Sequence, residues 1–317
     1  MTLHNRRLHK MNPLKFKSYQ NGLTLIEVII SLAIALLVLS LVINSLLSLN
    51  RAFVMTEQQV RIQESLRFSQ HQLQFALNQS QFWFHLQSSI AYAGSVTLNQ
   101  EQSPSCHKDQ SLWAYQVWQP IVAQNNKRTN YDCISASSYR NSDILTIRYL
   151  QPATSIDTAV NPYIRLHQTQ AKVFRGEDER YEINQFPGID AKTYAVISQT
   201  FYIASTGRTC NGAAIPALYR KYLVNGLPKT EEIVSGIEHL ELLFDIDQNL
   251  DGIIDNQLPA DHISNWNFIK SVSIHLIARS ECELAGPATT RKFNVADTQF
   301  EFSDSFLRES LVFTVAL

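Results

Sequence analysis

The stretch Gly22-Leu-Thr-Leu-Ile-Glu27-Val-Ile-Ile-Ser-Leu-Ala-Ile-Ala-Leu-Leu-Val-Leu-Ser-Leu-Val-Ile43 decides the architecture of this chain. Residues 23–43 are apolar except for Thr24, Glu27 and two serines. That is about the 20 residues a helix needs to cross a bilayer at roughly 1.5 Å per residue. Five basic residues (Arg6, Arg7, Lys10, Lys15 and Lys17) and no acid precede it. Positive charge on one flank predicts that residues 1–22 stay in the cytoplasm while the long remainder crosses the membrane. A cleavable secretory signal would show a shorter apolar core followed by small residues, and neither is present. Glu27 does not suit a plain anchor. A carboxylate in hydrocarbon costs about 2.5–3.5 kcal/mol, so one retained there points to a function.

Downstream of the span the helical pattern persists. No Gly or Pro interrupts 51–77, and apolar residues recur at Val60, Ile62, Leu66, Leu73 and Leu77, with Phe68 and Phe75 seven apart. Gln and charged residues fill the other face, as in an amphipathic helix packed on a core. A single helix over 23–77 would be about 80 Å long. Beyond about residue 90 short alternating segments take over. Strands are expected at Ser142-Asp-Ile-Leu-Thr-Ile-Arg-Tyr-Leu150, over 193–203, and at Leu218-Tyr-Arg-Lys-Tyr-Leu-Val224 running into the Asn225-Gly226 turn signal. Further strands should place Leu240, Leu242 and Phe244 on one face, then Val272, Ile274 and Leu276, then Leu311, Phe313 and Val315. Helix first and strands afterwards predict an α+β fold, a long N-terminal helix on a mostly antiparallel sheet. The expected divisions are a leader 1–22, a membrane or filament-core helix 23–43, its amphipathic continuation 44–77, and a β-rich globular domain 78–317.

Composition bounds the function. With 317 residues, 45% hydrophobic and 17% charged, the chain can build a core, which excludes a disordered tail. A net charge of -1 provides no basic face for nucleic acid, and no direct nucleic-acid binding is expected. No H-E-x-x-H, G-x-S-x-G, P-loop or dinucleotide fingerprint occurs, so no enzyme activity is expected. His239, His262 and His275 read as strand or surface residues. Cys106, Cys133, Cys210 and Cys282 are too widely spaced for paired C-x-x-C zinc binding. In an oxidising compartment an even count favours two disulfides. Of three connectivities, Cys106–Cys133 with Cys210–Cys282 is favoured because the first closes the shorter loop; free buried thiols are the alternative.

Asp247-Gln-Asn249-Leu-Asp251-Gly252-Ile-Ile-Asp255 fits D-x-[DN]-x-[DN]-G with a further Asp at the ninth position. Such alternating oxygens can encircle calcium, with Asp247, Asn249, Asp251 and Asp255 as side-chain ligands and the Ile253 carbonyl between them. Asp245 and Asp261 are supplementary ligands in this reading. Leu258 stands where an EF-hand has its bidentate Glu. A polar hairpin turn explains the same residues, because Asp, Asn and Gly are turn formers.

Gly22-Leu23-Thr24-Leu25-Ile26-Glu27 behind a basic leader resembles the cleavage and methylation signal of type IV prepilins and type II secretion pseudopilins, with Leu where the pattern has Phe. Arg61-Ile-Gln-Glu-Ser-Leu-Arg-Phe68, Ser142-Asp-Ile-Leu-Thr-Ile-Arg-Tyr149, Pro216-Ala-Leu-Tyr-Arg220, Ile233-Val-Ser-Gly-Ile-Glu-His-Leu240 and the terminal Phe313-Thr-Val-Ala-Leu317 are similar to stretches of the PilW family of minor pilins. The resemblance implies cleavage between Gly22 and Leu23 by the prepilin peptidase, which also methylates the new amino terminus. It implies that Glu27 neutralises the Leu23 ammonium of a neighbouring subunit during assembly. It further implies an inner-membrane protein that enters a pilus in a priming or tip complex. The partners implied are the major pilin, other minor pilins, the inner-membrane assembly platform and a tip adhesin. A minor pseudopilin of type II secretion shares the same signal, and a membrane-anchored periplasmic enzyme or binding protein is a third reading.

Overall fold

The computed structural model describes residues 22, 24–86, 91–94, 106, 112–156, 161–168, 170–178 and 190–317. The leader 1–21 and Leu23 lie outside the described residues. The chain divides into two compact units, Met1–Val54 and Met55–Leu317, and helix α1 (Leu25–Leu86, 62 residues) belongs to both.

In the first unit Thr24 ends the non-helical lead-in, and its carbonyl takes the first helical bonds from the amides of Glu27 (3.0 Å) and Val28 (3.2 Å). Thr suits this capping position, and an acid in the first turn favours the positive end of the helix. Every side chain over 25–54 is exposed in this single chain. Over 25–43 that surface is largely apolar all round, which matches hydrocarbon or other helices rather than water. By length and composition it suffices to cross a membrane.

In the second unit the helix is amphipathic in the strict sense. Ile62, Leu66, Leu73, Ala76 and Leu77 are buried, with Ser69 and Ser80 completing one stripe at three- and four-residue steps. Both serines bond back to the helix, Ser69 to the carbonyl of Ser65 and Ser80 to that of Leu77, so neither is buried without a partner. Val60, Phe68 and Phe75, expected among the packed residues, are about half exposed because they fall beside this stripe. The helix also continues past Leu77 to Leu86. Trp83 accounts for that extension: it is fully buried in a second cluster with Tyr115 and Ile164, and its Nε1 donates to the carbonyl of Val117 at 2.6 Å.

Among the described residues fourteen strands form three sheets. The largest has the order β1-β5-β4-β6-β3-β2 and continues from β6 through β7 to β8. Its members are β1 (Ala91–Gly94), β2 (Ile121–Gln124), β3 (Ile144–Pro152), β4 (Pro162–His167), β5 (Gln170–Arg175), β6 (Lys192–Cys210), β7 (Ala213–Val224) and β8 (Leu227–Ser235). Only the β1–β5 pair is parallel. The Asn225-Gly226 turn joins β7 to β8 with both residues at positive φ (51° and 74°), as a two-residue hairpin requires. The second sheet orders β10 (Asn256–Leu258), β9 (Ile237–Ile246), β11 (Ile269–Arg279) and β14 (Arg308–Ala316), all antiparallel. A separate hairpin, β12 (Thr289–Val295) with β13 (Thr298–Asp304), covers the outer face of β9: Phe300 lies 4.0 Å from the ring of His239.

One core joins the helical stripe to both larger sheets, through Ile147, Phe201 and Ile203 on one side and Leu240, Leu242, Phe244, Val272, Ile274, Leu276, Phe313 and Val315 on the other. At the sheet margin Glu238 accepts from Arg308 (2.7 Å) and pairs with Arg279 (3.2 Å), and all three are buried. The guanidinium groups stack over Phe302 and Phe306, each at 3.8 Å. Two disulfides, Cys106–Cys133 and Cys210–Cys282, close loops of 27 and 72 residues, and no described cysteine is free.

The stripe supplies the first test. Leu73→Ala should cost about 2–5 kcal/mol, the usual range for emptying a filled core position. Val60→Ala should stay within about 0.5 kcal/mol, as for an exposed site. Denaturant unfolding of the detergent-solubilised chain, followed by circular dichroism, reads both.

Candidate functional site

Two regions carry the residues singled out in the sequence, and they lie in different units. At the first, Gly22 is exposed and nothing stands within 4 Å of a Cβ built there. The junction with Leu23 is thus preceded by a residue that no packing confines. Glu27 follows in the first turn of α1 with its side chain exposed, among the exposed apolar residues Leu25, Ile26, Val28 and Ile29. In an apolar bundle such a carboxylate requires a cation from outside its own helix.

The second region is the loop between β9 and β10. Asp247 directly follows β9 and is buried; its amide donates to the carbonyl of Phe268 at 2.9 Å. Its two oxygens accept from the amides of Asp251 (3.2 Å) and Gly252 (3.0 Å) and face Lys270 Nζ at 3.2 Å. Burial pushes the Asp247 carboxyl up, but the Gly252 amide and the Lys270 ammonium outweigh it and hold it below the ordinary carboxylate range. Asn249 Oδ1 accepts from the amide of Asp251, Asp251 from Ile253, and Asp255 from Gln248. Leu250 (φ 60°) and Gly252 (φ 90°) give the chain its sharp return. The two supplementary positions are engaged elsewhere. Asp245 accepts from Gln257 and Ser271, and Asp261 from Asn125.

Among the described residues no group of three or more His, Cys, Asp or Glu side chains is drawn together tightly enough to hold a metal ion. His239 and His275 stand apart from the loop, and burial lowers both below the ordinary histidine value, His239 to about 4. The sequence reading missed one gathering of acids. Asp143, Glu241, Asp261 and Asp297 approach the adjacent amides of Asn125 and Asn126, brought from strands and turns 17 to 172 residues away. No local motif signals them.

An apolar helix with a carboxylate in its first turn, continuing into the helix that underlies an antiparallel β domain, defines the class of type IV pilin-like proteins. Residues 17–43 match the family described as "Prokaryotic N-terminal methylation motif", and residues 200–317 match "Type IV Pilus-assembly protein W". Each match covers a part of the chain: the first makes its N-terminal segment similar to methylated type IV pilin-like proteins, and the second makes its last 118 residues similar to the PilW family. No curated protein and no solved structure matches it.

The loop yields a pH-dependent prediction. A carboxyl held low in the fold stabilises it above the unfolded value, roughly pH 4, and that contribution is lost as pH falls through the folded value. Asp247→Ala should therefore lower the melting temperature at pH 7 and lower it much less at pH 3, as scanning calorimetry would read.

Proposed function

We propose that this protein is a minor pilin that helps prime type IV pilus assembly, cut by the prepilin peptidase between Gly22 and Leu23 and methylated there. The observation that carries the proposal is the junction itself: an unhindered Gly22, an apolar helix directly behind it, and Glu27 in its first turn within a methylation motif. The match over 200–317 favours a pilus over a type II secretion pseudopilus. In this reading residues 1–22 are cytoplasmic and the β domain is periplasmic until the subunit enters the filament. Its partners are the other minor pilins, the major pilin, the assembly platform and a tip adhesin; it performs no catalysis. After cleavage the Leu23 ammonium of one subunit neutralises Glu27 of the next, which makes both charges tolerable between helices.

Mass spectrometry of the native protein should find methylated Leu23 as its first residue, and Gly22→Val should leave the leader attached. Glu27→Val separates processing from assembly: the leader should still be removed, while the variant should be missing from sheared pili. Deletion should abolish twitching motility and leave exoprotein secretion intact; the reverse pattern selects the pseudopilin.

Calcium at the 247–255 loop belongs to the same proposal, supported by oxygen donors at alternate positions and a glycine at the bend. Asp247, Asn249, Asp251, Asp255 and the Ile253 carbonyl would hold the ion in exchange for the contact with Lys270. The solubilised chain should melt higher in millimolar calcium than in chelator, with a gain that grows as RT ln(1 + [L]/Kd).

A further inference from the structure

We propose that Asp143, Glu241, Asp261 and Asp297, with the side-chain amides of Asn125 and Asn126, form a second calcium site, separate from the 247–255 loop, that ties the β12–β13 turn to the sheet beneath it. The six residues come from five places in the fold. Asn125 and Asn126 follow β2, Asp143 precedes β3, Glu241 lies mid-β9, Asp261 sits in a short 3-10 turn (Ala260–His262), and Asp297 is in the β12–β13 turn.

The arrangement has a buried floor and an open mouth. Asp143 and Glu241 are fully buried, whereas Asp261 and Asp297 are exposed. Asn125 Nδ2 stands between the two exposed acids, 3.0 Å from Asp261 Oδ1 and 2.9 Å from Asp297 Oδ2. Asn126 Nδ2 lies 2.8 Å from Asn125 Oδ1 and 3.3 Å from Glu241 Oε2, and the Asn126 amide donates to Asp143 Oδ1 at 3.0 Å. The second oxygen of Glu241, Oε1, is buried and has no hydrogen-bond partner. An orphaned carboxylate oxygen inside a protein is costly, and here it points to a missing positive charge.

The surrounding charges have the wrong sign to supply it. Burial raises both buried carboxyls above their ordinary range. Asp297 and Asp261 raise Asp143 further, while Asp143 and Asp297 raise Glu241. Tyr139, half-buried nearby, is raised by both acids in turn. In this structure amide nitrogens separate the carboxylates, so no three of them share a point. Turning the two carboxamides end for end replaces those nitrogens by oxygens of the same shape. All donors are then hard oxygens, which suits calcium with its six to eight flexible ligands better than magnesium with its strict octahedron.

The test uses the full chain in detergent with calcium chloride alone as probe. Comparing the parent with Asp251→Asn reports on the 247–255 loop; everything else is done in the Asp251→Asn background, so that loop and cluster are read apart. Titration calorimetry should show about one ion bound per chain there. Adding Asp261→Asn with Asp297→Asn should weaken binding at least about tenfold, and Glu241→Gln should do the same. Because Asp261 and Asp297 are exposed, their amide variants keep the fold and decide the matter even if Glu241→Gln does not fold. No binding at about 10 mM calcium, or unchanged binding in the double variant, overturns the site.

Discussion

The buried stripe of α1 is the constraint on which the soluble unit depends. Ile62, Leu66, Leu73, Ala76 and Leu77 contact side chains of both larger sheets, and no other helix of comparable length occurs among the described residues. Each sheet has an apolar face that must be covered, and one helix covers both. The strands therefore read as one domain although they form separate sheets. Trp83 extends the arrangement by anchoring the final turns in a second cluster, where β4, β5 and the 112–117 segment close around it.

The same helix has two solvents. Over 25–43 its surface is largely apolar on every side, and from Ile62 onward it is apolar along one stripe. Hydrocarbon and neighbouring apolar helices are equivalent environments for such a surface. Glu27 is the one charged residue over 25–50. In the proposed function its partner charge arrives with the next subunit, which would make an unfavourable group a means of fixing register.

The β domain carries its charges differently. Where Glu238 meets Arg279 and Arg308, acid and base are buried together and stack on aromatic rings. Where Asp247 meets Lys270 and two backbone amides, the balance again closes within the chain. Asp143 is held by the amides of Asn126 and Leu242, but one oxygen of the neighbouring Glu241 has no partner.

Much of this was legible in order along the chain. The span, its lone carboxylate, the amphipathic continuation and the faces of β9, β11 and β14 follow from periodicity, because helices and strands repeat their side-chain directions at fixed intervals. The Asn225-Gly226 turn follows from backbone freedom at two residues. What periodicity could not supply is what lies across from each face. Glu241 alternates with Leu240 and Leu242 and so reads as a solvent-facing acid, yet it is fully buried, with the Asn126 side chain against it. Val60, Phe68 and Phe75 look like core residues and are left exposed, because the width of the buried stripe depends on where the sheets stop. The sequence by itself determined the elements and the membrane-suited helix, whose causes are local. Only the tertiary structure decided which acids meet, since their neighbours are about a hundred residues away and burial is a property of the assembled surfaces.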